Sequence, residues 1–312
     1  MDHRIAIVDL GTNTFHLMIA DVNQQAYRVV HRERQAVKIG MGGINKDIIT
    51  EEALMRALIA IKDFKKVIHE FRAMDIYAFG TSALRNASNQ GEVLNKIKTE
   101  TGIQVKIISG EEEARLIYMG IRSALSMGKE KSLIMDIGGG SVEFIIGHDS
   151  KVFWMHSFEI GAQRLVEKFH QHDPIAQEDL HQLNQYFAHQ LDLLLKALHK
   201  FKPTTLIGSS GTFDTLSDIF CLREGIPRSP GSPETPLSFT GFNEIYNELK
   251  IKDREARMSI PGMIELRVDM IVVACALIDY VLKHFHFEKI RVSSHALKEG
   301  VLADIIEVNQ SI

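Results

Sequence analysis

The segment Ile7-Val8-Asp9-Leu10-Gly11-Thr12-Asn13-Thr14 returns 127 residues later (9 to 136) as Ile134-Met135-Asp136-Ile137-Gly138-Gly139-Gly140-Ser141, with the Asp, the Gly and the final hydroxyl in register. In each copy an apolar run ends in an Asp, a small-residue turn follows, and a second apolar run resumes at once, Phe15 to Ala20 and Val142 to Ile146. The pattern predicts strand, tight turn, strand. Side-chain bulk is missing where backbone N–H groups would approach an anion, and a carboxylate stands at the strand end to take a cation. A chain that builds this element twice is expected to fold as two similar halves holding a phosphate chain and its metal.

With 312 residues the chain exceeds what one core usually organises, so two domains are expected. We place them at 1–125 and 126–299, with a C-terminal helix at about 300–312 packing back on the first. The composition, 45% hydrophobic and 24% charged, is that of a soluble globular protein. Met1 runs directly into a predicted strand without a leader, and the longest uncharged apolar run, Met270 to Ile278, is far short of a membrane span. Cys221 and Cys275 lack a partner at metal-binding spacing and read as buried free thiols, which points to the cytoplasm. His170/His172 and His284/His286 have no third ligand nearby in sequence and read as solvated surface. The net charge of -4 argues against nucleic acid and requires any phosphate substrate to be held by local donors and a metal.

Along the chain, hairpins, strands and helices alternate in both halves as in a mixed, mainly wound α/β fold. Helices are predicted from Thr50 to about Phe71, over Ala162 to Phe169, Gln177 to Lys200 and Met263 to Phe285, with a last one starting near Ala296. Residues 223–240 hold four of the seven prolines and read as a surface loop. Two such halves suggest a cleft between them, where ligands bind.

Asp9 and Asp136 are equivalent, and Glu143 adds a third carboxylate on the returning strand where the first copy has His16. Three oxygen ligands beside phosphate suit Mg²⁺. Ser109 and Glu112 predict a capping box, and Glu111 complements the helix dipole. Glu113 instead continues the stripe of Ile117, Ile121 and Ala124, so its carboxylate faces the interior or a cleft, as a general base or as half of a buried ion pair. Arg85 follows Thr81-Ser82 in what reads as a first helical turn, where donors converge on anions. Arg267 in an apolar helix needs a buried carboxylate or a phosphate. Ser210, Gly211 and Thr212 lie in a third small-residue turn, Gly208 to Thr212.

These segments, with Gly80 to Arg85, Ile108 to Arg115 and Leu297-Lys298-Glu299-Gly300, together resemble the motif set of the exopolyphosphatase/guanosine pentaphosphatase (Ppx/GppA) family over nearly the whole chain. The resemblance implies two actin-like ATPase (ribonuclease H-like) domains facing a central cleft, in the short two-domain form. It implies Mg²⁺-dependent hydrolysis of a terminal phosphoanhydride, of inorganic polyphosphate or, alternatively, of guanosine pentaphosphate. By position, Glu113 matches the catalytic base; Asp9, Asp136 and Glu143 match the metal and water-positioning acids. Gly11, Thr12 and Asn13, Gly138 to Ser141 (with Gly139 and Gly140) and Arg85 match the phosphate cradle. Thr12 and Thr14 replace common serines with the hydroxyls retained, and His295 stands where glycine is common. A homodimer is a further implication. The rivals are an ATP-dependent kinase of the same superfamily and a non-catalytic alarmone or polyphosphate sensor.

Overall fold

The computed structural model describes residues 3–23, 26–229 and 231–310, the last three as backbone only. The chain divides into two compact units, Met1–Gly120 with Leu297–Ile312, and Ile121–Ala296.

The first unit opens with strands β1 (His3–Leu10), β2 (Thr14–Val22) and β3 (Tyr27–Ala36). Helix α1 (Glu51–Glu70), capped by the Thr50 hydroxyl on the Ala53 N–H, leads to β4 (Asp75–Gly80). Short α2 (Ser82–Asn86), α3 (Gln90–Thr101), β5 (Val105–Ile107) and α4 (Gly110–Ala124) follow. Among the described residues the sheet has five strands in the order β3-β2-β1-β4-β5; β1, β2 and β3 pair antiparallel, and β1, β4 and β5 pair parallel. Ala6, Val8 and Leu10 alternate onto the face that packs with Ala57, Ile61 and Phe64 of α1. Ile5 and Ile7 are buried on the other face, so β1 reads as a continuous apolar run. Each large side chain buried here contributes about 1.5–3 kcal/mol.

The second unit repeats this plan. Strands β6 (Ser132–Ile137), β7 (Val142–His148) and β8 (Lys151–Phe158) precede helices α5 (Ala162–Phe169), α6 (Gln177–Gln190) and α7 (Asp192–Phe201). After β9 (Thr205–Ser209) come α8 (Ser210–Glu224), a short β10 (Glu234–Thr235), α9 (Phe239–Ile251), α10 (Arg254–Met258), α11 (Glu265–Val268), α12 (Ile271–His284) and β11 (Lys289–Ser293). The strand order is β8-β7-β6-β9-β11, with β10 added antiparallel on the edge. Pairing directions match the first unit throughout. Even the register shift recurs, between Ile19 and Ala20 where β2 pairs with β3 and between Ile146 and Gly147 where β7 pairs with β8. The duplicated order and directions are those of the ribonuclease H-like domains of the actin-like ATPase fold. Helix α13 (Leu297–Gln310) lies on β1 of the first unit, and a Cβ at Gly300 would run into the Leu116 carbonyl of α4.

Several local expectations need correction. The long helix 177–200 is interrupted at Leu191, which is fully buried. The apolar helix 263–285 is two helices, α11 and α12, so Arg267 stands in a separate four-residue turn. The proline-rich stretch 223–240 contains the end of α8, edge strand β10 and the start of α9; Pro230 lies outside the described residues. The Ser109 hydroxyl accepts from the Glu112 N–H, but the Glu112 carboxylate binds Arg115 at 2.8 and 3.0 Å, so the capping box is only half formed. The side chain of His170 is 5% exposed, so it is not on the solvated surface. Cys221 and Cys275 are buried and free. Among the described residues no helix is long and apolar enough to cross a membrane.

Candidate active site

In the first hairpin Asp9 pairs in register with His16, so both side chains stand on one face of the sheet. Gly11 makes the turn possible, because a Cβ there would lie 2.8 Å from the Thr14 carbonyl oxygen. The turn is strapped from behind. The Asn13 carbonyl accepts the N–H groups of Val37 and Lys38 at 3.0 and 2.8 Å, and the Thr12 carbonyl accepts that of Gly40 at 3.1 Å. In a trans peptide the N–H points opposite to the preceding carbonyl, so the amides of Asn13 and Thr14 project away from the strap. Among the described residues the buried Thr12 hydroxyl has no hydrogen-bond partner, which leaves it available to a ligand.

The second hairpin uses the same device with another strap. The carbonyls of Gly138, Gly139 and Gly140 accept the N–H groups of Ala162, Gln163 and Gly161 at 2.9, 2.8 and 3.0 Å. The Arg164 side chain adds a bond to Gly140. The start of α5 is thereby spent on the turn, and the amides of Gly139, Gly140 and Ser141 project to the other side. Gly161 comes so close that a Cβ would collide with the Gly139 and Gly140 backbone.

Asp136 pairs in register with Glu143, and the same row continues to Ser209 on one side and Ser157 on the other. Asp136 is 4% and Glu143 1% exposed. Burying two carboxylates is costly unless they are bonded. Hydroxyls supply the bonds: Ser209 and Ser210 donate to Asp136 Oδ2 at 2.7 and 2.6 Å, and Ser157 donates to Glu143 Oε1 at 2.6 Å. Ser210 reaches Asp136 from a left-handed backbone conformation, φ +67°, which costs a non-glycine residue about 1–3 kcal/mol and is characteristic of functional turns.

In the third turn Gly208 lies under the Phe213 ring and Gly211 under the Arg267 guanidinium, each close enough to exclude a Cβ. Thr212 is buried at the start of α8. The His295 imidazole lies 3.5 Å from the Ser123 hydroxyl, and the His295 carbonyl accepts from Ser293 at 3.0 Å.

Arg85 and Glu113 are brought together. Arg85 Nη1 donates to Glu113 Oε2 at 2.8 Å and to the Ile108 carbonyl at 3.2 Å. The side chains are 15% and 10% exposed, so this is a largely buried ion pair. Arg85 is in the last turn of α2, not the first. Its position is therefore explained by the side chain it meets rather than by the helix N-terminus.

Among the described residues no three His, Cys, Asp or Glu side chains form a ligand set by themselves. Asp136 and Glu143, paired on one face, fit a hard cation that takes few protein carboxylates and completes its shell with water and phosphate oxygens. Sequence reasoning missed Gly161 and Ser157, named Gly40 only as part of a glycine-rich turn, and named Ser209 only as part of the third small-residue turn, without its bond to Asp136. The only signal for the two glycines was a small residue where another backbone must pass; for Ser157 there was none.

A family model, the Ppx/GppA phosphatase family, matches residues 18–308. The crystal structure of an exopolyphosphatase from Cytophaga hutchinsonii superimposes with a TM-score of 0.95 at 44% identity, covering 98% of each chain. Exopolyphosphatase 1 of Mycobacterium leprae is 25% identical over 307 residues, 96% of this chain and 88% of that one. The guanosine-5'-triphosphate,3'-diphosphate pyrophosphatase of Photobacterium profundum is 25% identical over 301 residues, 96% of this chain and 59% of that protein. With a family model spanning nearly its whole length and the duplicated turns in place, the chain belongs to the Ppx/GppA phosphatase family.

Proposed function

We propose that the protein is an exopolyphosphatase, a divalent-metal-dependent hydrolase that removes the terminal phosphoryl group of inorganic polyphosphate as orthophosphate. The observation that carries this reading is the doubled hairpin turn, whose carbonyls are tied back so that its amides and hydroxyls remain for phosphoryl oxygens. The names of the exopolyphosphatase relatives support the substrate.

The roles divide by unit. In the first, Glu113 takes a proton from water while Arg85 fixes the orientation of its carboxylate. The water oxygen bonds to the terminal phosphorus, the bridging P–O bond breaks, and the shortened chain leaves with the electron pair. Gly11 to Thr14 hold phosphoryl oxygens. In the second, Gly138 to Ser141 and Ser210 to Thr212, with Arg267, hold further oxygens. Asp9, Asp136 and Glu143 are assigned to the cation, Mg²⁺ in our reading. When bound it neutralises phosphoryl charge, and phosphoryl transfer depends mostly on such positioning and charge stabilisation.

The test is a substrate panel of long-chain polyphosphate, tripolyphosphate and guanosine pentaphosphate, followed by orthophosphate release in Mg²⁺. Fastest turnover on long-chain polyphosphate is expected. Preference for guanosine pentaphosphate would replace the substrate, and binding without release would make the protein a sensor.

A further inference from the structure

A deeply buried arginine of the second unit lies outside the turns described above. Arg257, in α10, is 1% exposed. Its guanidinium donates to Asp173 Oδ1 at 2.6 Å, to the Lys252 carbonyl at 2.7 Å and to the Val268 carbonyl at 3.2 Å. Arg254, three residues earlier, repeats the grip. Its N–H donates to Asp173 Oδ2 at 2.7 Å and its Nε to Asp269 Oδ1 at 2.8 Å. Helix α10 is thus a clamp, with the Asp173 carboxylate on one side and residues 268–269 on the other.

What the clamp holds is α11, the four-residue turn that carries Arg267. A helix this short has almost no stability of its own, since nucleation is unfavourable and few internal bonds offset it. The Val268 carbonyl, which a continuous helix would use internally, accepts the Arg257 Nε–H instead. This interrupts the apolar run ahead of α12 and leaves the Arg267 guanidinium against Gly211. A buried guanidinium is expensive to desolvate and could often be replaced by apolar side chains without loss of stability. Its yield here is geometric.

The geometry points to Arg257 as a positioning residue that, with Arg254 and Asp173, fixes α11 and so holds the Arg267 guanidinium over the Gly208–Thr212 turn. The inference deepens the functional proposal and rests on its assignment of Arg267 to phosphate. The experiment therefore reads structure and binding separately. In Arg257→Met, and in the milder Arg254→Ala at a half-exposed site, amide hydrogen exchange across 264–269 is expected to accelerate while that of 205–209 is unchanged. Unchanged protection of 264–269 in folded variants would overturn the clamp, whatever the activity.

Tripolyphosphate affinity, measured by calorimetry, is expected to fall about tenfold in each variant, as for loss of one charge-assisted contact. In an Arg267→Ala background neither change should weaken binding further, and Arg257→Lys should recover part of the affinity. Full additivity with Arg267→Ala would reject the positioning role. If Arg267→Ala alone left affinity intact, the assignment of Arg267 to phosphate would fail while the exchange result still decided the clamp.

Discussion

At the scale of residues, the acids of the second hairpin are prepared by hydroxyls. Ser157 bonds one oxygen of Glu143 and so orients the other. Groups that orient metal-binding carboxylates typically contribute 10- to 100-fold in metal affinity. Ser157→Ala is therefore expected to raise the Mg²⁺ concentration for half-maximal orthophosphate release by about tenfold or more; an unchanged titration would remove Glu143 from the metal set. A second prediction concerns acid stability. Burial and the nearby positive charge of Arg257 lower the His170 imidazole below its ordinary value, against the opposing effects of Asp173, Asp179 and a bond to the Asp269 carbonyl. Burial alone would raise the Asp173 carboxyl, but bonds from Arg257 and the Arg254 N–H outweigh it and hold the group low.

Both groups bind protons more readily unfolded than folded, so both contribute stability that is lost on acidification. The His170 contribution disappears as pH falls below about 6.5, its unfolded value, and that of Asp173 only below about 4. The thermal midpoint should decline below about pH 6.5, and His170→Phe should flatten that decline; an identical slope would exclude His170. None of this was legible in the sequence. His170 and Arg257 are 87 residues apart (170 to 257), and no local pattern announces which distant charge will bury which.

At the scale of elements, the turns themselves were legible because Asp, glycine and hydroxyl residues act locally. Their straps were not, because the N–H donors to the carbonyls of the second turn come from residues 161–163. The chemistry of the strap gives a prediction. Gly161→Ala drives a Cβ into the Gly139–Gly140 backbone, an overpacking that costs about 1–3 kcal/mol. It should rotate the turn amides and abolish orthophosphate release well before it unfolds the protein. A folded Gly161→Ala variant with ordinary turnover would show that the strap does not aim the turn. The helix boundaries tell the same story: the apolar periodicity of α12 was readable, whereas its separation from α11 depends on a carbonyl bonded by a buried arginine.

At the scale of the whole molecule, duplication visible in eight residues extends to strand order, pairing direction and a register shift. The copies have diverged in chemistry. The row through the first Asp runs Asp9, His16 and Arg34, and the row through the second runs Asp136, Glu143 and Ser157. One row offers basic side chains beside its carboxylate, the other acceptors and a hydroxyl. The base assigned here, Glu113, belongs to neither row, and its pairing with Arg85 joins two motifs that the sequence presents separately. The assignment is tested most directly by Glu113→Gln, which keeps the shape of the side chain and removes its basicity. Orthophosphate release from polyphosphate should fall about 10²- to 10⁴-fold, the usual general-base contribution, with polyphosphate affinity retained. Release at the wild-type rate would contradict the account.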